Sequence, residues 1–207
     1  MEKINCKAGT LLAPVPAVLV SCGSLEKPNA LTIAWTGIVN SQPPMTYISV
    51  RKSRFSHALI KESGEFVINL VNAELLRAAD FCGVRSGRDV DKFALCALKA
   101  AASEKVSAPS IESAPVSLEC RVTEVLELGS HDMFLAEIVN VRVDASLVEE
   151  SGRIAYEKAG LVAYSHGEYF ALGKKLGKFG YSVEKKRRKG AQIHVKRQNS
   201  QKKPADK

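Results

Sequence analysis

From Arg51 to His57 the chain runs Arg-Lys-Ser-Arg-Phe-Ser-His without interruption. Phosphate is held best by charge-assisted bonds from Arg or Lys, joined by hydroxyls and the free N–H groups at a helix start. Arg51, Lys52, Ser53, Arg54 and Ser56 supply each of these parts. Helix formers Ala58, Leu59 and Ile60 come next, with a stop at Gly64. The plainer reading of the same residues is a solvated basic turn with a serine cap. Upstream, Asn29-Ala-Leu-Thr-Ile-Ala-Trp35-Thr-Gly37 contains the only Trp. Its main-chain amides and indole suit a flat heterocycle, although a lone Trp on a strand serves equally as a core anchor. Taken together, the two segments suit a planar ligand with an anionic end.

Other residues join or leave this list on chemical grounds. Cys82 precedes Gly83 and can lie near a ligand, and Gly83 to Asp91 is a polar loop rich in Gly and Arg. His131-Asp132 falls at an expected hairpin tip, either as an exposed turn or with the imidazole reaching a ligand. The four histidines lack metal-ligand spacing, and neither H-E-x-x-H nor C-x-x-C occurs, so no metal is expected. The dinucleotide and P-loop fingerprints are absent, as is Gly-x-Ser-x-Gly. Gly173 to Gly180 imitates a phosphate loop but lacks the hydroxyl after it and the strand before it.

Strands are expected at Val15–Cys22, Leu31–Val39, Thr46–Arg51 and Phe66–Val71, with Pro43-Pro44 as a turn. Asn72 to Phe81 has helical spacing with Gly83 past its end, and Asp91 is placed to cap a turn starting at Lys92. Alternation is clearest in 116–144, a hairpin about Gly129-Ser130. Leu161 to Tyr164 closes the series. At least six strands with no βαβ alternation predict a mainly β fold with flanking short helices, its antiparallel sheet closed or sandwiched.

The net charge of +8 is unevenly spread. Residues 184–207 carry ten Lys or Arg against two acids, which leaves twenty of each sign in 1–183. The expectation is a neutral domain over 1–183 and a basic, disordered tail over 184–207. That tail has no aromatic residue for stacking on bases. The five cysteines, odd in number, argue against a disulfide framework and for a reducing cytoplasm, four of them as small buried hydrophobes. No apolar run is long enough for a membrane span, and no export signal is apparent.

In order along the chain, these motifs resemble the flavin reductase-like family, most closely its flavoredoxin branch. They are the Asn29–Gly37 strand, Pro43-Pro44 with Ser49-Val-Arg-Lys-Ser-Arg-Phe-Ser56, Gly87-Arg-Asp-Val-Asp-Lys92-Phe93, His131-Asp-Met-Phe-Leu-Ala-Glu137-Ile, and the Tyr164–Ser182 region. The resemblance covers about residues 8–182. It implies an FMN-binding split β-barrel that forms a homodimer. The candidate cofactor-binding set is Asn29, Thr32, Trp35, Thr36, Ser49, Arg51, Lys52, Ser53, Ser56, Cys82, Gly83, Lys92, His131 and Tyr164. The family often has Thr where this chain has Ser56 and Phe where it has Tyr164; the hydroxyl and the ring are both kept. The implied activity is electron transfer through bound FMN, from NAD(P)H to flavin or to a redox protein partner, with no side chain needed as nucleophile or base. A competing reading makes the barrel a dimeric scaffold that its basic tail directs to nucleic acid or an acidic partner, without turnover.

Overall fold

The computed structural model describes residues 1–183, so the basic tail expected over 184–207 lies outside the described residues. The chain divides into two units, Met1–Gly173 and one that begins at Lys174. The second contributes a 3-10 turn at Tyr181–Val183 to the description. The first holds the sheets and the three α-helices.

Period-two burial sets the strands. The expected Val15–Cys22 strand divides at Ala17 into β1 (Val15–Pro16) and β2 (Val18–Gly23). In β2, Val18, Val20 and Cys22 enter one core, and Leu19 enters another on the opposite side. β3 (Pro28–Ile33) pairs with β2 and splits its side chains in the same way, Leu31 and Ile33 against Ala30. The strand expected over Leu31–Val39 breaks at Ala34-Trp35, and β4 (Thr36–Ser41) continues in a new direction. A turn at Gln42-Pro43 leads into β5 (Pro44–Arg51).

α1 (Phe55–Ser63) ends where the sequence indicated, at Gly64, whose φ of 67° lets its N–H reach back to Ile60. β6 (Glu65–Leu70) comes next. α2 (Leu76–Val84) departs from expectation by running through Gly83. A Cβ there would sit 3.4 Å from Thr32 Cβ, so a small residue lets the helix pack on β3. Asn72 Oδ1 instead accepts from Leu75 N ahead of the helix (3.0 Å). α3 (Lys92–Leu95) is capped by Asp91, which accepts from Ala94 N (3.0 Å). Then come the short pair β7 (Ala100–Ala101) and β8 (Ser110–Ile111), the long hairpin β9 (Val116–Glu127) and β10 (His131–Val143), and a last hairpin, β11 (Val162–Ser165) and β12 (Glu168–Ala171).

Seven strands pair in the order β3-β2-β6-β9-β10-β5-β4, every neighbour antiparallel. β3 and β4 are consecutive in the chain yet stand at opposite ends of that order, joined only by Ala34 and Trp35. The three residue steps from Ile33 to Thr36 reach no more than ~11 Å, so the sheet must curl until its two edges come together in a seam. At this corner Trp35 O accepts from Ser49 N (3.0 Å), which extends the β4–β5 ladder by one residue pair. The barrel interior holds Val18, Val20, Ile48, Val50, Phe66, Cys120 and Phe134, with Ile60 of α1 packed among them. α2 and α3 cover the outside of β2 and β3 through Leu75, Ala79, Cys82 and Phe93. β1, β11 and β12 form a separate small sheet. No helix among the described residues is long and apolar enough to cross a membrane.

Two polar side chains inside the fold are well matched. Asn69 donates to Leu19 O and Ser21 Oγ and accepts from Ile111 N and Ser117 Oγ. Buried Glu119 accepts from the Glu104 and Lys105 amides and from Asn140. Of the five cysteines, Cys22, Cys82 and Cys120 are buried and Cys96 is half-buried. Cys6, expected as a buried hydrophobe, is exposed because the first twelve residues are exposed throughout.

Candidate functional site

The seam opens into a cleft. Its first cavity, about 470 Å³, has three walls. Thr32, Trp35, Ser49, Arg51 and His131 form the barrel wall, Asp80, Gly83 and Val84 the α2 wall, and Tyr164, Gly167 and Tyr169 the β11–β12 wall. Trp35 keeps 41% of its surface exposed, so it is a wall and not a core anchor. Its ring lies 4.6 Å from the His131 ring, tilted by 45°. His131 pairs directly with Arg51 across β10 and β5. Burial, and then the charges of Arg51 and Arg54, hold its imidazole below the ordinary histidine value, so it is neutral at pH 7. On the opposite wall Tyr164 and Tyr169 meet edge to face at 5.4 Å. Tyr169 donates to Asp80 Oδ1 (3.2 Å), and burial followed by the Asp80 charge raises its pKa.

The second cavity, about 350 Å³, shares Leu31, Arg51 and Arg54 with the first, so the two are adjacent. Its lining holds four cations, Arg51, Arg54, Arg85 and Lys92, and three hydroxyls, Ser53, Ser56 and Ser86, with no carboxylate. α1 begins here with no acid in its first turn and no side-chain cap; Arg54 O takes the His57 N–H (2.9 Å), and the Phe55 and Ser56 N–H groups lie at the positive end of the helix, which favours an anion.

Individual groups are held firmly. Ser56 Oγ accepts from Asn29 Nδ2 (2.7 Å), which leaves its own O–H to donate. Lys92 is only 4% exposed. Its Nζ donates to Ala30 O (2.7 Å) and Cys82 O (3.0 Å), and one of its three N–H groups remains for the cavity. Burial pulls the Lys92 pKa down. Burial pushes the Cys82 thiol up to about 12, so it is no thiolate at neutral pH. Gly87 comes so close to the barrel that a Cβ would meet Asn29 Oδ1 at 2.0 Å and Phe55 at 3.0 Å.

Of the fourteen candidate residues, eleven line one cavity or both. Asn29 stands behind Ser56 and orients it. Thr36 faces away and donates to Tyr47 O (2.5 Å). Lys52 points to Glu127 Oε2 (2.7 Å) and Asp132 Oδ1 (3.4 Å) instead of the cleft. Arg85, Ser86, Asp80 and Tyr169 line the cleft without belonging to the candidate set; the Gly83–Asp91 loop signals the first two by composition alone. The hairpin tip falls at Leu128–Ser130, so His131 and Asp132 belong to a strand. Asp132 is fully buried, contrary to an exposed turn, because strand alternation turns it inward. Among the described residues no group of three or more His, Cys, Asp or Glu is placed to hold a metal ion.

Comparison with known proteins agrees with this architecture. The Flavin reductase like domain model matches residues 11–173. The flavoredoxin of Desulfovibrio vulgaris (Miyazaki F) is 33% identical with a TM-score of 0.82, covering 88% of this chain and all (100%) of its own. Flavoredoxin from Methanosarcina acetivorans is 28% identical with a TM-score of 0.80, covering 89% and 100% respectively. An uncharacterised protein of Archaeoglobus fulgidus is 37% identical over 130 residues, 63% of this chain and 73% of its own.

Proposed function

The chain belongs to the flavin reductase-like family, in its flavoredoxin branch, and from that premise we propose that it is an FMN-binding redox protein that takes electrons from NAD(P)H. The observation that carries the proposal is the pair of adjacent cavities, one carboxylate-free and ringed by four cations and three hydroxyls, the other wider and walled by aromatic rings. Both volumes are within the usual range for small-molecule sites, roughly 300–1,000 Å³. The donor set matches a phosphate at one end and a planar ring at the other.

Bound FMN supplies the redox chemistry itself. Arg51 and Arg54, on the boundary of the two cavities, and Lys92 at the floor of the second hold the phosphate through charge-assisted bonds. Ser56 adds a hydroxyl donor aimed by Asn29. Main-chain N–H groups along Thr32–Trp35 orient the ring edge. Neutral His131 adds no charge to the cationic wall. Tyr164 and Tyr169 screen the ring from water on the far side. We also propose that the protein works as a homodimer; Ile38 and Val39, exposed on the terminal strand β4, support an interface there.

The test is anaerobic. Purified protein is titrated with FMN and then mixed with NADH or NADPH in a stopped-flow instrument. The expected result is tight, stoichiometric binding and bleaching of the yellow band within seconds by one of the two nucleotides. Binding without bleaching, with reduction by a ferredoxin-like donor, removes the NAD(P)H step and leaves an electron carrier. A protein that takes up no FMN ends the proposal.

A further inference from the structure

The cleft leaves one buried charge without a task. Asp132 is fully buried, and its Oδ2 lies 2.8 Å from His57 Nε2, itself only 8% exposed. Its Oδ1 has no hydrogen bond and faces Lys52 Nζ at 3.4 Å. A buried carboxylate with one oxygen left without a hydrogen bond is costly, and a well-packed apolar pair of similar volume is often no less stable. The arrangement therefore favours orientation over stability, and the groups it orients are adjacent in the chain.

Lys52 and His57 are the two ends of the turn that carries Ser53, Arg54 and Ser56 into the anion cavity. One carboxylate holds both ends. The same residue is next to His131 on β10, and alternation sends His131 to the ring cavity while Asp132 points inward. Ser56 and His57 are likewise neighbours on α1, one facing the anion cavity and the other the buried carboxylate. Among the described residues His57–Asp132 is the only side-chain hydrogen bond between α1 and β10. Burial raises the Asp132 pKa, but the His57 bond and the Lys52 charge outweigh it and keep the group ionised below the ordinary aspartate range.

We infer that Asp132 is a positioning residue: it pins both ends of the 52–57 turn and so sets the geometry of the phosphate cradle without touching the ligand. Lys52 thereby becomes an anchor of the turn and not a phosphate ligand. The inference rests on the FMN reading. Unlike a merely structural role, it requires that loosening Asp132 act on the phosphate end of the ligand and spare the ring end.

The test compares FMN with riboflavin, which has the same ring and no phosphate. Affinities are measured by fluorescence titration for wild type, Asp132→Asn, Asp132→Ala, His57→Ala and His57→Gln. Inorganic phosphate is tested in parallel as a stabiliser in thermal unfolding. Asp132→Ala and His57→Ala are expected to weaken FMN by about tenfold to a hundredfold, the worth of one charge-assisted bond. Riboflavin affinity should stay within about twofold, a few tenths of a kcal/mol. Asp132→Asn, the milder change, loses the pull on Lys52 and part of the FMN preference. His57→Gln keeps an N–H to give to Asp132 and should keep most of it. Equal weakening of both flavins, or an unchanged FMN preference in the folded variants, overturns the inference while leaving the FMN reading in place. Wild type that binds neither flavin overturns both.

Discussion

Removing the Lys92 ammonium should damage the fold before any flavin is added. Lys92→Met keeps an apolar stem of similar length but deletes the donor to Ala30 O and Cys82 O. A hydrogen bond from a charged group contributes about 1.5–3 kcal/mol. Two such bonds are lost, and relief from burying a cation offsets part of that, so the net cost is about 2–4 kcal/mol. In a domain of this size that lowers Tm by roughly 4–16 °C. Urea and thermal unfolding of flavin-free protein measure it. FMN affinity should fall as well, by about tenfold to a hundredfold, because the third N–H faces the anion cavity. The pH dependence gives an internal control. The folded pKa of Lys92 is below its reference value of 10.5. The unfolded chain therefore holds the proton longer, and wild-type stability rises with pH between the folded value and 10.5. Below the folded value the burial penalty is present in full. Lys92→Met should lack that rise. A variant within about 1 kcal/mol of wild type, or one that keeps the full alkaline rise, refutes the role of Lys92 as a tie between β3, α2 and α3.

Gly87→Ala should cost about 2–4 kcal/mol of stability by overpacking and by breaking the Asn29–Ser56 bond, with weaker FMN binding; unfolding close to wild type would show that the loop yields freely. Trp35 is the only Trp and touches His131, so its emission reports imidazole protonation. The midpoint should fall below 6.5 and move up in Arg51→Gln, since Arg51 is among the causes of the shift. A midpoint at or above 6.5 in wild type contradicts the described surroundings of His131.

Local chemistry is legible in the sequence where one residue decides the outcome. Gly64 ends α1 and Asp91 caps α3 because each acts on its own turn. The 116–144 hairpin is legible because alternation over two long strands sets their faces. The break at Ala34-Trp35 is not, since Leu31–Val39 is a mostly apolar stretch without a turn signal and the corner is imposed by barrel closure. Likewise the brevity of β1 and the extension of α2 through Gly83 depend on partners distant in sequence, β11 and Thr32. In the site, residue type and spacing mark the cations and hydroxyls of the 51–56 turn. Asp80 and Tyr169 join the cleft only through packing, and no local pattern distinguishes them. Asp132 is the least legible of all. A carboxylate beside a turn reads as surface, and its hydrogen-bond partner, a histidine, is 75 residues away.

The two-residue link between the ends of the sheet has a kinetic consequence. Every other junction of the barrel is secured by a ladder of paired strands, whereas β3 and β4 share no ladder and meet only through the Ala34-Trp35 link. It is the natural place for the cylinder to breathe, and any molecule lodged across it holds the two margins together. Amide exchange along β4 should then slow on loading far more than along β6, which is flanked by strands on both sides.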